Sequence, residues 1–246
     1  MYIKRYQPRP SRSPMTAACG CLGLLAGGLV LAVLGFILIV PALPTMLLRT
    51  LGALPLGETE ALYRPLDVVP LSELTPGVLP ATLLLEIPDV PQQRLDPALL
   101  PGELLSGVAA GSAHLQATYS EEDLLALCRQ YTDICGPGGR DLRNVTIDLK
   151  PGGAILYAEL RLPDTNLWQP VGIPLRIMDR RRVEVLGIDM GGALYSVPPG
   201  TLEQLVSQAT ARANEALTQL VLRTGSTTFR LNAVYADDTT LTIILR

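Results

Sequence analysis

The chain has 246 residues, 48% hydrophobic, 17% charged and 4% aromatic, and a mean hydropathy of +0.30, which is too apolar for a domain solvated on all sides. Residues 1–57 hold five basic groups (Lys4, Arg5, Arg9, Arg12, Arg49) and no acidic one, leaving 15 basic against 23 acidic residues beyond, and so acidic a distal part argues against nucleic acid as a partner. One histidine, His114, and four cysteines exclude most histidine-rich metal sites and any Ser-His-Asp triad not built on that histidine, so no catalytic residue, metal or cofactor is expected.

Ala17 to Val40 reads AACGCLGLLAGGLVLAVLGFILIV, 24 residues without a charge. As a helix it spans roughly 36 Å, enough to cross a bilayer. Its length and its Ile39-Val40-Pro41 ending favour an uncleaved anchor over a signal peptide, whose apolar region is shorter and ends in a small-residue cleavage site. Four basic residues precede it and none follows until Arg49, which places the tail 1–16 in the cytoplasm and everything after Pro41 outside. Gly23 and Gly27 form a GxxxG pair, continued by Gly28 and Ala32, through which two helices could pair as a homo-oligomer; simple tolerance of glycine in lipid is the plainer explanation.

Residues 41–112 read as a Leu/Pro-rich stalk, because 11 prolines fall between Pro41 and Pro101 and proline at that density breaks helices and ladders. One short strand is expected at Thr82 to Ile87. Residues 113–246 read as the extracytoplasmic α+β domain. Ser120 caps a helix whose first turn is Glu121-Glu122-Asp123 and whose apolar face is Leu124, Leu125, Cys128 and Tyr131. Asn144 to Lys150 and Ala154 to Leu162 alternate about Pro151-Gly152-Gly153 as a hairpin. A second hairpin carries Val171, Ile173, Leu175 and Ile177, turns at Asp179-Arg180-Arg181-Arg182, and returns through Val183 and Val185 with a change of phase near Leu186-Gly187 that suggests a bulge. The longest helix is expected over 201–223, opened by a Thr201/Gln204 capping box, with Leu202, Leu205, Val206, Ala209, Ala213, Leu217, Leu220 and Val221 on one face. A third hairpin, Thr227 to Tyr235 and Thr240 to Leu245, closes the chain. The order α-β-β-β-β-α-β-β predicts a curved antiparallel sheet wrapped on the long helix. Cys128 and Cys135, seven apart in a compartment where disulfides persist, are expected to be bonded.

The cap and helix YSEEDLLALCRQY, the hairpins VTIDLKPGGAILYAELRL and VGIPLRIMDRRRVEVLGIDMGG, the helix PPGTLEQLVSQATARANEALTQLVL and the closing TTFRLNAVYADDTTLTIILR resemble the membrane-anchored LmeA-like phospholipid-binding family and the similar YpmS-like proteins. The resemblance covers roughly 117–246 and implies a tubular lipid-binding-like domain in which a long helix and curved sheet enclose an apolar ligand. The apolar candidates are Leu156, Leu160, Ile173, Leu175, Leu205, Val206, Ala209, Ala213 and Leu217, and the same residues would equally fill a solid core. Arg180, Arg181 and Arg182 are the head-group candidates, although charges on a hairpin tip ordinarily face water. The function expected is non-enzymatic binding of membrane lipid; the alternative is an assembly subunit of a cell-envelope protein complex. His114 lies in the run GSAHLQ, and Glu121-Glu122-Asp123 and Asp237-Asp238 have ready helix-dipole and turn explanations.

The charge asymmetry fixes the expected topology as single-pass with the N-terminus inside. Protease treatment of intact cells should therefore remove residues 113–246, and full protection of that part until the membrane is broken would contradict the orientation.

Overall fold

Strict alternation of apolar and polar residues gives each strand one face to bury, and hairpins joined by short turns bury it as antiparallel sheet. The computed structural model describes residues 52–64, 75–87, 90–97, 100–109, 112–131, 135, 142–161 and 167–246. The apolar stretch 17–40, its Gly23/Gly27 track and the basic tail lie outside the described residues. Among the described residues no helix is long and apolar enough to cross a membrane.

The class is α+β: the described residues form two antiparallel sheets and two α-helices. One sheet contains β1 (Pro55–Glu58), β7 (Leu142–Lys150), β8 (Gly153–Arg161), β9 (Trp168–Met178), β10 (Arg182–Val185), β11 (Ile188–Met190) and β12 (Ala193–Tyr195). They run in the order β1-β12-β11-β9-β8-β7, with β10 also paired to β9. The other contains β2 (Thr75–Pro76), β3 (Leu83–Ile87), β4 (Val90–Leu95), β5 (Glu103–Ala109), β6 (Ser112–Ser120), β13 (Val221–Thr224), β14 (Thr227–Ala236) and β15 (Thr240–Leu245), in the order β2-β5-β6-β15-β14-β13-β3-β4.

The expected hairpins are present. Ile147 pairs with Leu156 and Leu149 with Ala154 across β7 and β8, while Leu156 and Ala154 face Ile173 and Leu175 across β8 and β9. Gly153 is required by close approach, since a Cβ there would stand 2.1 Å from the Leu175 carbonyl oxygen. The change of phase near Leu186 is where the chain passes from β10 to β11, both on the same edge of β9. Gly187 sits there with φ +152°, and a Cβ would meet the Tyr195 carbonyl oxygen at 2.2 Å.

Helix α1 (Glu121–Tyr131) starts as expected: Ser120 Oγ accepts from the Asp123 N–H at 3.2 Å, and Asp123 Oδ2 accepts from the Ser120 N–H at 2.9 Å. Glu121 also accepts the Leu149 N–H at 2.7 Å, tying the helix to β7, the outermost strand of its sheet. Cys128 and Cys135 are disulfide-bonded with their Cα atoms 5.7 Å apart.

Four features differ from the sequence expectation. Helix α2 is Thr201–Gln219, not 201–223, because Leu220 turns extended and Val221–Thr224 become β13, hydrogen-bonded between β14 and β3. Its N-cap is Gly200, without a side-chain cap, in place of the Thr201/Gln204 box. The long helix is not a hub inside one curved sheet. Only Val206 and Leu217 are buried on it, and it lies against β10 and β14, one strand from each sheet. The last difference is the stalk, whose residues supply β1 to β5, so the boundary at 112/113 falls at the start of β6. The single expected strand near 82–87 is β3, and Leu83, Leu85 and Leu95 are buried to 0%, 1% and 0% exposure. Prolines do not prevent this because Pro55 opens a strand, Pro76 closes one, Pro91 lies in β4 at the edge of its sheet, and Pro80, Pro97 and Pro101 lie between strands.

Leu85→Ala should therefore destabilise the folded part by about 2–5 kcal/mol, as a buried leucine does, whereas Leu84→Ala beside it should cost under about 0.5 kcal/mol. Denaturant melts of the two variants decide whether residues 83–95 belong to the domain. Protein collected without reductant should show no free thiol at Cys128 or Cys135, and reduction should cost about 2 to 3 kcal/mol before any strain.

Candidate functional site

Two sheets that each expose an apolar face must cover one another, and their inner side chains ordinarily interdigitate with few voids larger than a water molecule. Here they leave an apolar cavity of about 70 Å³. Its floor is Ile147 and Leu149 of β7, Ala154 and Leu156 of β8, and Leu175 and Ile177 of β9. Val234, Leu241 and Ile243 of β14 and β15 form the opposite wall, and Leu124 of α1, Val183 of β10 and Leu217 of α2 close the sides. Among the described residues, Arg181 and Arg182 are the only charged ones at the lining.

Of the apolar residues expected from sequence, Leu156, Leu175 and Leu217 line this cavity. Leu160 and Ile173 are buried in the surrounding core without lining it. Leu205, Val206, Ala209 and Ala213 lie on α2 away from the lining; Val206 is buried and the other three are half-buried. The β14 and β15 wall was missed by sequence reasoning. The alternation of Leu241 and Ile243 contains the signal, but nothing in it says that this hairpin faces β7 to β9.

The three arginines have separate employments. Asp179 and Arg180 both adopt positive φ, +51° and +59°, in a turn closed by the Arg181 N–H on the Met178 carbonyl at 3.1 Å. That backbone is tolerated by glycine, asparagine and aspartate and disfavoured for other side chains, so the strain falls on Arg180. Contacts with the other sheet hold it. The Arg180 carbonyl accepts the Val234 N–H at 2.7 Å, and the Arg180 guanidinium stands 5.4 Å from the centre of the Tyr235 ring. Arg181 Nε donates to the Asn232 carbonyl at 2.8 Å. The β14–β15 register shifts between Leu231 and Ala233, so Asn232 sits at an irregularity and its carbonyl is open to this contact. Arg182 pairs with Asp179 and has 60% of its side chain exposed. The basic tip is thus a clasp between the sheets at the cavity rim.

Helix α2 is held to the same rim by a side chain that imitates a strand. Asn214 Oδ1 accepts the Val183 N–H at 2.7 Å and its Nδ2 donates to the Val183 carbonyl at 2.9 Å. Behind the floor, the N-terminal segment crosses the first sheet. Tyr63 donates its hydroxyl to the Ala154 carbonyl at 3.0 Å, and burial pushes its phenol far above the usual tyrosine range, so it stays a neutral donor. Thr59 donates to Asp189, a carboxylate only 2% exposed that also accepts the Gly192 N–H at 3.2 Å. His114 is buried at 9% exposure on β6. Among the described residues no group of three or more His, Cys, Asp or Glu side chains is placed to hold a metal ion.

Comparison with protein-family models, curated proteins and solved structures gives no match for this chain.

The clasp has a measurable consequence. Arg181→Ala should lower stability by about 1 kcal/mol, since it removes a hydrogen bond exposed on one side, and should speed amide exchange at Val234. Arg182→Ala should leave that amide unchanged, and equal effects of the two substitutions would contradict the assignment.

Proposed function

We propose that this chain is a single-pass membrane protein whose folded part, on the extracytoplasmic side, binds a lipid or other apolar ligand without transforming it. The observation that carries the reading is the cavity between the sheets, with apolar walls and two arginines at its rim. Such a site binds by removing apolar surface from water, at about 25 cal/mol per Å², and needs few polar groups. The 24-residue uncharged stretch 17–40 supports the membrane half of the reading, and the resemblance to the LmeA-like family points to the same ligand class.

At about 70 Å³ the cavity is smaller than the roughly 300–1,000 Å³ of ordinary ligand pockets. On this reading the fold described is the closed form, with room for the end of an acyl chain. Further entry requires α2 to move outward. That helix buries only Val206 and Leu217, and the Asn214 contacts to Val183 are its side-chain link to β10. In this reading α2 and the two sheets make a tubular enclosure with the helix as its movable side. Arg182, 60% exposed and paired with neighbouring Asp179, is placed to meet a head group by exchanging one anionic partner for another.

Ala154→Leu adds three carbons at the floor. Full-length protein purified from membranes should then carry less lipid in native mass spectrometry, with its melting temperature unchanged or raised because the space is filled. A solid core would instead be overpacked at a cost of about 1–3 kcal/mol. A destabilised Ala154→Leu variant whose lipid content equals that of an unsubstituted chain carrying none would overturn the binding reading.

A further inference from the structure

Among the described residues the first strand, β1, is also the one nearest in sequence to the apolar stretch, and its side chains are left uncovered. All four residues of β1 are exposed; Leu56 is 52% exposed, and Leu54, just before the strand, is 66% exposed. These leucines are not on a loose end. The Leu54 N–H donates to Ser196 Oγ at 2.8 Å and its carbonyl accepts the Ser196 N–H at 2.8 Å. Ala53 on one side is buried at 3% exposure, and Thr59 on the other at 1%. A pinned backbone therefore holds two large apolar side chains in solvent.

Resting on the reading of residues 17–40 as an uncleaved anchor, we propose that β1 is the edge on which the folded part lies against the bilayer, with Leu54 and Leu56 in the interfacial layer. Eleven residues, 41–51, separate Val40 from Gly52. Fully extended they reach at most about 40 Å. A tether that short keeps β1 at an effective concentration on the order of millimolar relative to the surface, so a contact too weak to recruit a free domain is occupied in the anchored one. The tether includes Met46, Leu47, Leu48 and Leu51 and so extends the apolar character of the approach. A partner strand is a poorer occupant for this edge. Pro55 has no N–H to give, and the pairing with β12 shifts register between Pro55 and Gly57, both of which blunt an edge against strand addition. The carboxylates of Glu58 and Glu60 are exposed beside the leucines, which favours a zwitterionic surface over an anionic one.

The test uses the full chain in phosphatidylcholine vesicles, with and without bromine on the acyl chains. Trp168 is the one tryptophan; in a Trp168→Phe background a new tryptophan is placed by Leu56→Trp or, as reference, by Thr228→Trp at an exposed position of β14. The tryptophan at 56 should lose most of its emission in brominated lipid, and the one at 228 should not. Leu56→Trp with Trp168 retained, read as the increment over the unsubstituted chain, gives the same answer should Trp168→Phe fail to fold. Unquenched emission from position 56 in protein that stays with the vesicles through an alkaline wash would overturn the proposal and leave the anchor standing. Blue-shifted, unquenched emission would overturn it in favour of a second copy covering β1. Release of the protein by the wash would overturn the anchor and the proposal together.

Discussion

Everything in this fold depends on two antiparallel sheets having to bury each other's apolar faces. Neither helix is wide enough to do it. Helix α1 covers one end beside β6 and β7, and α2 buries only Val206 and Leu217. The sheets are held in register by contacts at their rims: the Gly152 N–H on the Ala236 carbonyl at 2.9 Å, and the Arg180-Arg181 tip on β14. Pinned at these points and close-packed elsewhere, the two faces do not meet over Leu156, Leu175 and Ile243, and the cavity is what remains. The void is thus a product of the clasp as much as of side-chain volume.

The same clasp accounts for an otherwise costly piece of backbone. Placing Arg180 in the left-handed region costs of the order of 1 kcal/mol or more, whereas Asp179 beside it is a residue type that tolerates it. A glycine would remove that cost, but it would also remove the guanidinium that stands over Tyr235. Turn strain and sheet-to-sheet contact are therefore two sides of one arrangement, and the arginines that look like a solvated tip in sequence are structural first.

What was legible in the sequence is what is local. The Ser120 cap, the Pro151-Gly152-Gly153 turn, the phase change at Leu186-Gly187 and the Cys128–Cys135 bond all follow from residues within a few positions of each other. What was not legible depends on distant pairing. Val221 to Thr224 continue the apolar spacing of α2, and only the strands on either side make them β13. Residues 83–95 look like stalk because the leucines and prolines lack a long period; their place in the sheet comes from the pairing of β3 with β13, more than 120 positions further on. At the site, alternation identified the inward residues of β8 and β9, Leu156 and Leu175, whereas the β14 and β15 wall required knowing which sheets face each other. The helix residues Ala209 and Ala213 were singled out as small positions beneath a covering sheet, and α2 lies at the surface where that cover is incomplete.

Function on this account follows from an apolar space with one lightly held side, a helix fixed by Asn214 and a narrow stripe, beside a rim where Arg180 and Arg181 clasp the sheets and Arg182 alone has an exposed, exchangeable partner. The most direct test of the central claim is where lipid goes. Full-length protein in membranes containing a phospholipid with a photoreactive group near the end of one acyl chain, irradiated and mapped by mass spectrometry, should carry adducts on Leu175, Ile177, Val234, Leu241 or Ile243 as well as on residues 17–40. Adducts confined to residues 17–40 and to exposed positions, with none on the facing walls of the two sheets, would contradict it.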